Sequence, residues 1–165
     1  MMITLQPFQG ETEAAVLLIQ GFWEEHNHYR QSIDEAMADL HSWTKEGHRF
    51  YFIMQEEKRV GFLHLGSRGG EADWLEDLYV EGQYQNKGIG TRAIQLAEEI
   101  VKKYSESMYI EAAARNERAI RLYRRMGYDC LNTITVRKDF RPENHQVIRR
   151  EQIYDQQFDI KSYKG

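Results

Sequence analysis

The run QYQNKGIGTRA, Gln83 to Ala93, places Gly88 and Gly90 one residue apart at the entrance to an apolar-periodic segment. Glycine lets a backbone come close to another group or take φ above zero. A helix N-terminus carries unpaired N–H groups and a partial positive charge, so a glycine-rich entrance lets an anion reach them. Gln85, Asn86, Lys87, Gly88, Ile89, Gly90 and Thr91 therefore read as an anion cradle, with a charge from Lys87 and a hydroxyl donor from Thr91. Three phosphate loops compete for this stretch. The nucleoside-triphosphate loop needs G-x-x-x-x-G-K-S/T; here Lys87 precedes Gly88 and Gly82 sits too close, so that match fails. The dinucleotide fingerprint G-x-G-x-x-G/A is present as Gly88, Gly90 and Ala93, with Glu111 about twenty residues on, where a ribose-binding acid would sit. That fingerprint wants its turn directly after a strand, however, and EGQYQN separates Val80 from Gly88. The third pattern is Q-x-x-G-x-G after a strand that ends L-x-V.

Other reactive side chains point to less. Cys130 is the single cysteine, so no internal disulfide can form and a reducing compartment, the cytoplasm, is expected. It lies beside Asp129 in a predicted strand with no neighbour that would lower a thiol pKa, so it is not read as a nucleophile. His26 and His28 have a spacing that could hold a metal on a strand, but no third ligand is evident. No metal is expected, and the pair is read as bordering an acceptor pocket. The five arginines from Arg115 to Arg125 alternate with helix-core positions and read as a solvated face. With a net charge of −4 over 165 residues, no nucleic-acid partner is expected. No window approaches about 18 uninterrupted apolar residues. The start, MMITLQPFQGE, has no basic segment followed by an apolar run, so neither a membrane span nor a secretory signal is expected. A homodimer stays open.

The elements that must position these residues follow from periodicity. MITLQPF predicts a first strand. From Glu11 to about Glu25, Ala15, Leu18, Ile19 and Phe22 recur at helix spacing. Ser32 to Lys45 repeats it with Ile33, Met37, Leu40 and Trp43, and Ser32 is the N-cap candidate. RFYFIMQEE and RVGFLHLGS predict a hairpin about a charged turn, and ADWLEDLYV a further strand. Ile89, Ala93, Leu96, Ala97 and Ile100 predict a helix to about Lys103, and SMYIEAA the next strand. Asn116 to Met126 predicts a helix capped by Asn116 and stopped by Gly127. YDCLNTITVRKDF and QQFDIKSY predict two last strands. The order β-α-α-β-β-β-α-β-α-β-β makes an α/β or α+β domain, mostly antiparallel in its first half with a βαβ unit in its second.

The third loop pattern resembles the GNAT superfamily of acetyl-CoA-dependent N-acyltransferases, in which Q/R-x-x-G-x-G/A holds the coenzyme A pyrophosphate at a helix N-terminus. EDLYV, Glu76 to Val80, looks like that family's preceding strand. RNERAIRLYRRMGY, Arg115 to Tyr128, looks like its second signature: an Asn, a helix, a Tyr seven residues later, then Gly-aromatic, here Asn116, Tyr123, Gly127 and Tyr128. The matched block, Asp73 to Tyr128, is about a third of the 165-residue chain. The resemblance implies one domain over 1–165, with a mixed, mostly antiparallel central sheet flanked by helices on both faces. It implies acetyl-CoA as acetyl donor, with Leu78, Tyr79 and Val80 supplying backbone groups to the pantetheine arm where two strands diverge. A backbone N–H there would stabilise the oxyanion. Asn116 would contact the pantetheine region, which is compatible with capping its helix.

The implied reaction is direct attack of an amine on the thioester. A lysine-type amine, pKa about 10.4, must lose a proton at a cost of roughly 4–5 kcal/mol at pH 7. By resemblance the base is Glu111, five residues before Asn116, or Glu76 on the strand leading to the cradle. On mean alternation Glu76 shares a face with Trp74, Leu78 and Val80, and Asp77 one with Leu75 and Tyr79. Tyr123 is the acid for the leaving thiolate by motif position, although with Ala119, Ile120 and Met126 it also lies near one helical seam. Phe22, Trp23 and Tyr29, mixed with Glu24, Glu25, Asp34, Glu35 and Asp39, would suit a cationic acceptor; a solvated helix face explains the acids equally well. Aminoglycosides, polyamines, amino acids and peptide N-termini all stay open as acceptors, as does an acyl group of another length. A non-catalytic acyl-CoA sensor and a dinucleotide-binding redox protein are the competing functions.

Overall fold

In the computed structural model, which describes residues 1–165, the two β-forming runs around the charged turn at Glu56 pair as an antiparallel hairpin of β2, Arg49–Gln55, and β3, Lys58–Gly66. Both strands are buried almost throughout, because helices cover both faces of the sheet they centre. Phe50, Phe52 and Phe62 pack toward α1, Thr12–Asn27, and α2, Ile33–Thr44. The sheet runs β1-β2-β3-β4-β5, with β1 Ile3–Pro7, β4 Trp74–Val80 and β5 Tyr109–Ile110. Every pairing is antiparallel except β4 with β5. The mixed, mostly antiparallel sheet expected from the sequence is present.

Local chemistry sets the helix ends. Ser32 accepts from the Glu35 N–H while the Glu35 carboxylate accepts from the Ser32 N–H, a complete capping box. Helix α3, Ile89–Val101, buries Ile89, Ala93, Ile94, Ala97 and Val101 against the sheet. Phe62 is fully buried at the centre of the aromatic cluster, 5.1 Å from Phe50 and 5.5 Å from Phe22. Truncating a ring so placed costs about 3–5 kcal/mol. No helix is long and apolar enough to cross a membrane.

The chain forms two compact units, Met1–Glu111 and Ala112–Gly165. The second holds α4, Glu117–Arg125, and a hairpin of β6, His145–Ile153, and β7, Gln156–Tyr163. Tyr154 and Asp155 make its turn, both with positive φ (54° and 60°), the backbone of a tight hairpin turn. Here the structure corrects the sequence reading. YDCLNTITVRKDF forms no strand over 128–140, and Cys130 is exposed in irregular chain. Extended-chain propensity alone makes no strand without a pairing backbone, and the sheet of this unit holds only β6 and β7. β6 gave no signal, since HQVIRREQI is mostly polar and the turn lacks the Asn-Gly or Asp-Gly cue. The strand expected over SMYIEAA shrinks to two residues for a reason that bears on the site.

Candidate functional site

β4 carries a bulge. Leu75 pairs with Leu65 and Asp77 with His64, which leaves Glu76 without a partner. A bulge bends the strand that carries it and increases its twist. On the other edge, Trp74 and Leu75 pair with Tyr109 and Ile110, and pairing then stops. β4 and β5 therefore part at Glu76 and Glu111, and Leu78, Tyr79 and Val80 have no strand partner on the β5 side. Tyr79 turns its ring into the α1 face, 6.1 Å from Phe22, and burial, with Glu25 and Glu81 nearby, raises its hydroxyl pKa. Leu78 looks the other way, toward Gly90.

Beyond Val80 the chain turns through Gly82–Tyr84 into α3. Gln85 fastens this turn: its side-chain amide donates to the Val80 carbonyl and to Glu25, each at 2.7 Å. Asn86 and Gly88 both take left-handed conformations, φ 59° and 80°. Gly88 is the N-cap, and no side chain caps α3. A side chain at Gly88 would meet nothing within 4 Å, so the demand for glycine there is conformational and the space above it is open. Lys87 donates to the Gln83 carbonyl at 3.0 Å and lies 5.9 Å from the Tyr84 ring. The helix entrance thus offers backbone donors and a cation with no carboxylate capping them.

At the opposite end of β4 the mouth is crowded. Arg68 lies 3.7 Å over the Trp74 ring. It donates to both oxygens of Glu76 at 3.1 Å and both of Glu111 at 3.2 Å. Glu76 itself packs across Gly66, where a Cβ would come within 2.8 Å of it. The Arg68 hydrogen bonds hold the Glu111 carboxyl below the usual carboxylate range, which makes it a weaker base. The structure therefore brings the two base candidates together, but around an arginine that the sequence did not single out.

Asn116 and Tyr123 lie in the second unit. The Asn116 side chain accepts from the Ala119 N–H at 3.2 Å, so it does cap α4. Tyr123 is half-buried, 6.2 Å from the Tyr128 ring, and burial raises its hydroxyl pKa, which keeps it protonated.

The aromatic and acidic residues of α1 and α2 are largely engaged with one another. Trp23 and Gln31 both donate to Asp39, at 2.8 and 3.0 Å. Tyr29 donates to Glu35, and Arg30 pairs with Glu24 at 2.7 Å. His26 is helical, and its ring stacks on Phe22 at 4.4 Å. His28 is the left-handed cap of the same helix, so the strand geometry a metal pair needs is absent.

One cluster escaped the sequence reading. His64, 2% exposed, has Nδ1 2.7 Å from Asp77 Oδ2 and Nε2 2.8 Å from His48 Nδ1. The available signal was a histidine inside the apolar run VGFLHLG, but its partners depend on strand register.

The acetyltransferase (GNAT) family model matches residues 16–128. Among solved structures, the aminoglycoside acetyltransferase meta-AAC0020 from an uncultured soil metagenomic sample, in complex with sisomicin, is similar with a TM-score of 0.66 at 16% identity; the match covers 84% of this chain and 96% of that one. A possible acetyltransferase from Clostridium difficile 630 matches with a TM-score of 0.65 at 12% identity, over 85% of this chain and 99% of that one. AAC(6')-Iy in complex with the bisubstrate analogue CoA-S-monomethyl-acetylneamine matches with a TM-score of 0.61 at 14% identity, over 84% and 99%. At these identities the likeness is one of fold.

Proposed function

The chain belongs to the acetyltransferase (GNAT) family, and on that premise we propose that it moves the acetyl group of acetyl-CoA to a primary amine by direct attack. The observation that carries this reading is β4 itself, which parts from β5 after Leu75 and leads to an uncapped helix entrance at Gly88. The coenzyme's pyrophosphate is assigned to the N–H groups of Ile89, Gly90 and Thr91, with Lys87 beside them. Gln85 and Asn86 shape that turn. The pantetheine arm is assigned to the free edge of Leu78, Tyr79 and Val80, and Asn116 is assigned to the coenzyme by its motif position. An N–H on that edge would stabilise the oxyanion of the tetrahedral intermediate without a special side chain.

Glu76 and Glu111 are assigned to the amine. They bind its ammonium form and orient the nitrogen for attack. Tyr123, kept protonated by burial, supplies the leaving thiolate with a proton. The acceptor class we favour is a cationic amine, tested first with aminoglycosides because one structural neighbour is in complex with sisomicin. The lone, exposed Cys130 suits a reducing compartment, and the cytoplasm is the location proposed. A second reading, an acyl-CoA sensor without turnover, draws on Arg68, which occupies both candidate bases.

Thermal shift with acetyl-CoA, coenzyme A and NAD, followed by thiol release across an amine panel, separates these readings. Stabilisation by acetyl-CoA and amine-dependent thiol release are expected. Stabilisation without release from any amine would favour the sensor, and stabilisation by NAD alone would overturn both.

A further inference from the structure

A histidine buried in a strand needs its ring nitrogens satisfied, and His64 meets this need in a directional way. Asp77, one residue past the bulge, engages Nδ1 at 2.7 Å, and His48, four residues past the end of α2, engages Nε2 at 2.8 Å. The His48 and His64 rings lie within 17° of one plane with centroids 5.1 Å apart, as an edge-to-edge hydrogen bond requires. Trp43 stacks on His64 at 5.0 Å and 19°. With Asp77 ionised and both rings neutral, the hydrogen bonds fix the protons: His64 Nδ1–H donates to Asp77, and His48 Nδ1–H donates to His64 Nε2. His48 Nε2 then holds a lone pair at the half-buried end of the chain.

We propose that His48, His64 and Asp77 form a proton relay that accepts the proton lost by the attacking amine, with His48 as the accepting group and His64 and Asp77 as positioning residues. The proposal rests on the acetyl-transfer reading. As the amine nitrogen bonds to the thioester carbon, its proton passes to His48 Nε2, directly or through one water. The Nδ1 proton of His48 moves to His64 Nε2. His64 becomes an imidazolium held by the Asp77 carboxylate, and His48 returns to a neutral ring with its proton on the other nitrogen. One proton enters, and the positive charge comes to rest against a carboxylate.

The groups around His48 are consistent with a neutral resting ring. Burial, then His64, then Lys45 lower its pKa, and Glu76 partly offsets them. Glu76 is itself tied to Arg68. His48 therefore stays a free base further into acid than an ordinary histidine. The relay also resolves a difficulty at the mouth of β4, where Arg68 engages both glutamates. They can bind and orient the ammonium, while the proton leaves by another path.

The test is the pH profile of acetyl transfer in wild type, His48→Gln and Asp77→Asn, with the best amine of the panel. His48 is half-buried at the end of a loop, so His48→Gln keeps the fold, checked by melting temperature. It should lower kcat/KM by about 10²-fold near neutral pH and remove the acid limb that His48 contributes. Asp77→Asn keeps the side-chain shape but removes the charge that supports the His64 imidazolium, so it should move that limb to lower pH. Imidazole proton resonances supply a readout independent of turnover: His48 should take up its proton at lower pH in Asp77→Asn than in wild type, because the carboxylate that supports the added charge is gone. A folded His48→Gln that matches wild type at every pH overturns the relay and leaves acetyl transfer standing. A wild type that turns over no amine overturns the acetyl-transfer reading and the relay with it.

Discussion

The two ends of β4 are built from different materials. Past Val80 the chain presents backbone: a left-handed Gly88, an uncapped helix and open space above it. At Glu76 it presents side chains that are already engaged, with Arg68 bonded to two carboxylates and laid over Trp74. Backbone donors at a helix entrance are fixed in direction by the helix, so the first end is suited to hold a phosphate in one place. Charged side chains can exchange partners, so the second end is suited to chemistry in which a proton and an acceptor must move. The contrast predicts that the glycine end controls affinity and the charged end controls rate.

The largest effect should come from a residue outside both ends. Tyr123→Phe keeps the ring and removes the proton, so single-turnover acetyl transfer should fall by about 10²–10⁴, with acetyl-CoA affinity and melting temperature near wild type. A folded, coenzyme-competent Tyr123→Phe with an unchanged single-turnover rate would end the acid assignment. Next comes Gly90→Val. A Cβ there would meet only Leu78, at 3.9 Å, so folding should survive. Acetyl-CoA should bind at least about tenfold more weakly, a loss of about 1.4 kcal/mol. Equal affinity by calorimetry would remove the glycine end from the coenzyme site.

At the charged end, Glu111→Gln should lower kcat/KM by less than the ~10²-fold of a sole general base, because Glu76 shares Arg68 with it. The loss should be greatest at low pH, where the acceptor is most cationic, and shrink toward the amine's pKa. A uniform loss at all pH values would point to a structural role instead. Smallest of all is the stability effect of Arg68→Gln. Arg68 lowers the folded-state pKa of Glu111, so its contribution is present above the carboxyl's unfolded pKa and lost as pH falls through the folded one. The Glu111 side chain is 64% exposed, so denaturation near pH 7 should show a loss of about 1 kcal/mol or less. That difference should fade as the carboxyls protonate. A difference that persists unchanged in acid would mean that Arg68 acts through its stacking on Trp74.

Features decided by neighbours along the chain were legible in the residues themselves. The Ser32 cap, the Asn116 cap, the apolar seam of α3 and the glycine entrance at Gly88 all depend on contacts within one helical turn, and such contacts follow from spacing alone. The β2–β3 hairpin was equally plain, since its two runs flank a two-residue turn. Tertiary structure alone decided which charged groups meet. Arg68 reaches Glu111 across 43 residues, and His64 reaches His48 and Asp77 across 16 and 13. Both depend on strand register and on the bulge at Glu76, and a one-residue change of register would send each of these side chains to the other face. The failed strand over 128–140 has the same cause in reverse. Alternating Thr and Val record a preference for extended chain, but a strand exists only where another backbone pairs with it, and neither sheet takes up this segment.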